Sequence, residues 1–64
     1  MKKFEYRLLN TESGLFKGID YQALNDRLNH LGIQGWEVIS TVSITNSDGQ
    51  TASLLTTLKR ELLG

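Results

Sequence analysis

Cysteine and proline are both absent from this chain of 64 residues. Without cysteine there can be no disulfide, no iron–sulfur cluster and no thiolate zinc site. A single histidine, His30, leaves no imidazole-rich metal site either. Without proline, no helix or strand is interrupted by a missing N–H, and the N-terminal proline used by small β-α-β tautomerases is missing too. An excess of one charge sign is also lacking, since seven basic side chains face seven acidic ones. A protein held to nucleic acid by phosphate contacts normally carries a basic surplus, so nucleic acid is not an expected partner. Neutrality instead removes a protection against self-association. No apolar run approaches the roughly 18 residues that span a bilayer. Lys2, Lys3, Glu5 and Arg7 interrupt what would be the apolar stretch of a signal peptide, and the expectation is a cytoplasmic protein with no membrane partner.

What is present fits one small domain over residues 1–64. A chain this short buries only about 60% of the surface exposed by its unfolded form. Chains of this size are commonly reinforced by disulfides, metals or subunit contacts. With the first two excluded, a homo-oligomer is expected.

Periodicity divides the chain into four elements. Phe4, Tyr6 and Leu8 alternate with Glu5, Arg7 and Leu9, which predicts a strand over about 3–9. A polar loop follows, and Leu15 and Phe16 within the connection are expected to tuck over the core edge. Asp20 is a good helix N-cap. Ile19 and Leu24 have hydrophobic-staple spacing, and Tyr21, Leu24, Leu28 and Leu31 form one apolar stripe. The helix is expected over about 21–31, with Gly32 left-handed at its end and Ile33 folding back onto Leu28. A second strand, about 35–44, places Trp36, Val38, Val42 and Ile44 on one face and Glu37, Ile39, Thr41 and Ser43 on the other. Asn46 to Gly49 reads as a hairpin loop. The last strand, about 50–60, has Ala52, Leu54, Thr56 and Leu58 on one side and Ser53, Leu55, Thr57 and Lys59 on the other.

The implied architecture is α+β: a single β-α-β-β domain with a three-stranded antiparallel sheet of order 1-3-2 and one helix on one face. Its expected core joins Phe4, Tyr6, Leu8, Trp36, Val38, Val42, Ile44, Leu54 and Leu58 to the helix stripe. The other face would carry Glu5, Arg7, Leu9, Glu37, Ile39, Thr41, Leu55 and Thr57. With two further leucines in the tail, the candidate oligomer interface is Leu9, Ile39, Leu55, Leu62 and Leu63.

Several of these segments resemble a known family. They are Phe4-Glu5-Tyr6-Arg7 and the junction Leu28-Asn29-His30-Leu31-Gly32 with Gly35-Trp36-Glu37-Val38-Ile39-Ser40. Leu58-Lys59-Arg60-Glu61-Leu62 closes the set. Together they are similar to the short bacterial proteins grouped as domain of unknown function 4177. The resemblance covers nearly the whole chain, and its Leu-Gly-x-x-Gly-Trp-Glu junction is the most specific part. It implies the same β-α-β-β order and a bacterial or phage-related origin. The family supplies no activity, cofactor or catalytic residue to carry over.

Candidate chemistry is sparse. His30 stands one turn after Asp26, the spacing of a base with an orienting carboxylate, but a histidine in the last helical turn also suits the helix dipole. No nucleophile accompanies it, and no enzyme, catalytic residue, metal or cofactor is expected. Trp36 is expected in the core, with a stacking wall for a planar ligand as its alternative. Glu37 would pair with Arg7. Lys2, Lys3, Lys59 and Arg60 gather at one end, interleaved with Glu5 and Glu61. The glycine spacings match no phosphate-binding loop. The functional expectation is a self-associating structural or interaction domain. Its alternatives are a ligand-binding oligomer with a site beside Trp36 at a subunit junction, and a weak nucleic-acid binder through the lysine–arginine end.

Overall fold

The computed structural model describes residues 1–14 and 18–63. The expected tuck of Leu15 and Phe16 therefore lies outside the described residues. Strand β1 (Phe4–Glu12) leads to helix α1 (Tyr21–Ile33), then to strands β2 (Glu37–Thr45) and β3 (Thr51–Glu61). The sheet order is β1-β3-β2, with β3 antiparallel to both neighbours. The α+β architecture and strand order are those expected. β1 is longer than its alternation implied, because Asn10, Thr11 and Glu12 stay in register with Leu55, Leu54 and Ser53.

Helix α1 begins as its sequence dictates. The Asp20 carboxylate accepts a hydrogen bond from the Ala23 backbone N–H at 3.0 Å, satisfying one of the free donors of the first turn. Ile19 is buried and Leu24 half-buried at the two staple positions. The helix end differs from expectation. Gly32 lies inside the helix, and the left-handed residue is Gly35, with φ +94. Gly35 donates its N–H to the Gly32 carbonyl at 3.0 Å, and Trp36 donates to the Leu31 carbonyl at 3.1 Å. These are the paired bonds of a Schellman motif with Gly35 as its left-handed glycine. The residue that folds back is therefore Trp36, onto Leu31; Ile33 points to solvent, 87% exposed.

The hydrophobic centre is small. Leu31, Trp36 and Leu58 form a buried cluster, with Leu9 and Leu28 packed against it. Cross-strand neighbours share a face of the sheet, so the register shows which side of each strand α1 covers. Leu58 lies opposite Arg7 and Val38, and Thr56 opposite Leu9 and Thr41. On β1 the covered set is thus Glu5, Arg7 and Leu9, the reverse of the expected Phe4, Tyr6 and Leu8. On β2 a bulge between Val38 and Ser40 shifts the register by one residue. A single extra residue moves all that follow to the other face. Trp36 and Val38 therefore stay with the helix, while Val42 and Ile44 are carried to the open side. The two sides of β3 are as expected, with Leu54, Thr56 and Leu58 buried beneath α1.

The hairpin between β2 and β3 closes on Gly49, with φ +86. Asn46 holds the turn three times: its N–H donates to the Gln50 carbonyl at 2.9 Å, its carbonyl accepts from Gly49 N–H at 3.0 Å, and its side-chain oxygen accepts from Gln50 N–H at 3.0 Å. The whole molecule is thin and long, with principal extents of 46 × 22 × 11 Å and a radius of gyration of 13.8 Å. A compact domain of this length would have a radius near ~11 Å. The difference reflects a sheet that outruns its one helix: every residue of β2 is exposed.

Candidate functional site

Two regions concentrate the side chains of interest, one on each side of the sheet. On the helix side, Trp36 is 7% exposed. Its ring has the Arg60 guanidinium carbon 4.5 Å from its centroid and that of Arg7 at 4.8 Å. Cations over an indole face are attracted by its quadrupole. Arg60 is further fixed by an ion pair to Glu5 Oε1 at 2.8 Å and a bond to the Gln34 carbonyl at 3.0 Å. One side chain thereby joins β3, β1 and the helix cap around the only tryptophan. The positions a planar ligand would take beside the ring are held by the chain's own arginines.

This arrangement also redistributes the charges. Arg60 points to the helix side, whereas Lys59 points to the open side, its Nζ 4.7 Å from the Phe4 ring centroid. Glu37 lies opposite Lys59 in the sheet, on the face away from Arg7, so the expected Glu37–Arg7 pair does not form. Lys2, Lys59 and Arg60 border one cleft together with Glu37 and Glu61, and Lys3 borders a neighbouring one with Lys2 and Glu61, so the cations at this end are interleaved with carboxylates. On α1, Asp26 accepts from the Gln22 side chain at 3.0 Å, and His30 is exposed in the last turn. Among the described residues, no group of three or more His, Cys, Asp or Glu side chains could hold a metal ion. No helix among them is long and apolar enough to cross a membrane.

The open side is the second region. Register leaves two apolar groups on this face: Phe4, Tyr6 and Leu8 along β1, opposite Glu61, Lys59 and Thr57, and Leu55 of β3 with Val42 and Ile44 of β2, reached diagonally from Leu8. Tyr6 is 64% exposed, Leu8 66%, Val42 54% and Ile44 46%; Phe4 and Leu55 are half-buried. Lys59 and Glu37 share a cross-strand row with Tyr6, so charges stand beside the β1 group. Of the interface residues proposed from sequence, Leu55 lies on this face. Ile39 is 49% exposed at the bulge. Leu9 is a correction, since it packs against the core on the helix side. Leu62 and Leu63 are exposed and flank a groove that also involves Gln34, Gly35 and Arg60. The Leu62 N–H donates to the Lys3 carbonyl at 2.8 Å, which continues the β1–β3 ladder into the tail.

Sequence reasoning missed Phe4, Tyr6, Leu8, Val42 and Ile44 as members of the open face. In β1 the adjacent pair Leu8-Leu9 makes either parity plausible. The signal for the correct one was chemical: two arginines and a glutamate can line a tryptophan at the end of a helix. In β2 no glycine marks the bulge, and none of its residues reveals the change of face.

A family model described as Domain of unknown function (DUF4177) matches residues 4–61. The chain belongs to the DUF4177 family. The match runs from the first residue of β1 to the last of β3 and so covers the complete β-α-β-β unit of this chain. In this DUF4177 member the Gly35-Trp36 pair has a structural purpose: it ends α1 and delivers the indole to the two arginines. Neither curated proteins nor solved structures yielded a match to the chain.

Proposed function

We propose that this protein is a self-associating interaction module in which copies of the chain cover one another's open sheet face. The observation that carries this reading is the band formed by Phe4, Tyr6, Leu8, Leu55, Val42 and Ile44, opposite the helix-covered side. Scattered apolar residues on a surface are ordinary, but here two exposed apolar groups, one along β1 and one on β3 and β2, meet diagonally at Leu8 and Leu55 with no layer over them, which supports an interaction surface. The accessible surface supports the same view. The chain exposes 5080 Å², roughly 1,000 Å² more than a typical folded monomer of this mass. That surplus is comparable to the approximately 800 Å² that one partner contributes to a standard protein interface. Equal numbers of acidic and basic side chains leave no net repulsion between copies.

Sedimentation at micromolar concentration is the direct test, with an expected mass of at least two chains of 7.2 kDa. A mass of one chain throughout would overturn the proposal. A ligand-binding role beside Trp36 has less support, because Arg7 and Arg60 already occupy the surroundings of the ring.

A further inference from the structure

Strand β2 is a sheet edge left bare on both faces, and it differs from the other edge in composition. β1 carries Glu5, Arg7 and Glu12 along its length, and Lys2 and Lys3 precede it. Charges of this kind are the usual means by which an edge strand avoids pairing with another chain. From Val38 to Thr45, β2 has no charged residue, and proline is absent from the whole chain. Every residue of β2 is exposed. The protective devices are the bulge at Ile39 and the irregularity between Ile44 and Thr45, which limit but do not remove the straight part of the edge.

The straight part is self-complementary. Register along β3 is unbroken from Ser40 to Ile44, between irregularities at Val38/Ser40 and Ile44/Thr45. Its midpoint is Val42. A two-fold interface requires that residue i meet residue j while j meets i. An axis through Val42 sets Val42 against Val42, Thr41 against Ser43, and Ser40 against Ile44. Each pair has both members on one face, as antiparallel pairing requires. Glu37 of either copy falls outside the paired stretch, so no charge is buried or opposed.

Resting on the self-association proposed above, we infer that β2 pairs antiparallel with β2 of a second copy about Val42. Two three-stranded sheets then become one sheet of six strands. The pairing brings Val42 and Ile44 of both copies together, so the apolar band of each open face becomes continuous across the junction. Edge pairing and face packing are thus separate contacts, and a chain using both assembles beyond a dimer.

Charge substitution on the helix side of β2 separates the two contacts, because Thr41 and Ser43 lie away from the open face. Thr41→Lys with Ser43→Lys places like charges opposite each other across the axis. Thr41→Lys with Ser43→Glu places opposite charges at the same positions and loses the same Thr41–Thr56 hydroxyl contact at 3.3 Å. The first double variant is expected to sediment at half the unaltered mass or less, and the second at the full mass. A cross-link gives an independent readout, since the chain has no cysteine of its own. Directly opposed residues have Cα atoms about 4.5–5.5 Å apart, within the span of a disulfide. Oxidation of mixed Thr41→Cys and Ser43→Cys chains should therefore link one to the other, and each variant alone should link poorly. If both charge variants dissociate, formation of that mixed disulfide sustains the edge pairing and its failure overturns it. An unaltered oligomer with full mass in both variants and no mixed disulfide would sink the edge inference while leaving face-mediated association intact. Single-chain mass in the unaltered protein would overturn both.

Discussion

The backbone N–H of Trp36 reaches the Leu31 carbonyl at 3.1 Å, and the side chains of the same two residues meet in the buried cluster. One residue thus closes the helix with its backbone and fills the core with its ring. Everything between them is constrained as a result. Gly35 must be left-handed, and a Cβ there would stand 3.2 Å from Arg60 Cδ. Gly32, by contrast, has open space where a Cβ would go.

The two glycines should therefore respond to alanine with opposite signs. Gly35→Ala is expected to destabilise by about 1–2 kcal/mol, from the left-handed backbone and the crowding of Arg60. Gly32→Ala is expected to stabilise by about 0.5–1 kcal/mol, as glycine is a poor helix residue. Urea denaturation at one fixed protein concentration checks both, and equal effects would show that the Schellman assignment is wrong.

Arg60 provides a spectroscopic test of the tryptophan clamp. Removing it exposes the indole and frees the Gln34 carbonyl and the Glu5 carboxylate. Arg60→Ala should red-shift the emission of the sole tryptophan and cost about 1–2 kcal/mol. Arg60→Lys should fall between, since lysine keeps the charge but not the planar fork. Glu5→Gln should cost no more than about 1 kcal/mol, because both partners of the ion pair remain 37% exposed. That smaller effect should diminish further in salt. An unshifted emission in Arg60→Ala would refute the clamp.

Much of the fold was legible because strong local signals agreed. The Asp20 cap, the leucine stripe of α1 and the Asn46–Gly49 turn each specify one element, and their order leaves few ways to arrange three strands and a helix. Faces were less legible. In β1, Leu8 and Leu9 are adjacent, so hydrophobicity fits either parity, and turning Glu5 and Arg7 rather than Phe4 and Tyr6 towards Trp36 is the less obvious choice. In β2 the bulge at Ile39 changes parity midway without a glycine to announce it. Gly32 and Gly35 stand three apart and both could end a helix; only the bond from Trp36 to Leu31 decides between them. The candidate surface inherits these ambiguities, since an open face is whatever the helix leaves uncovered.

Asp20 isolates the contribution of the helix start. Asp20→Ala removes the acceptor for Ala23 N–H and should cost about 1 kcal/mol, whereas Asp20→Asn should cost only a few tenths. Thermal melts followed by far-ultraviolet circular dichroism would check this, and indistinguishable variants would mean that the cap contributes nothing.

Leu8 and Leu9 are neighbours in sequence that face opposite sides of the sheet, and they separate folding from association. Leu9 packs on the core from the helix side, so Leu9→Ser should cost about 1–3 kcal/mol in stability. Leu8 is 66% exposed, so within a single chain Leu8→Ser should change stability by no more than about 0.5 kcal/mol. Its effect should appear in assembly instead. An oligomer's melting temperature rises with protein concentration, because association stabilises only the folded form. The unaltered protein should show that dependence, Leu9→Ser should retain it at a lower temperature, and Leu8→Ser should lose much of it. Were Leu8→Ser the more destabilising change at every concentration, β1 would have to present Phe4, Tyr6 and Leu8 to the helix. The open face would then lose half its apolar band, and with it the argument for a second copy.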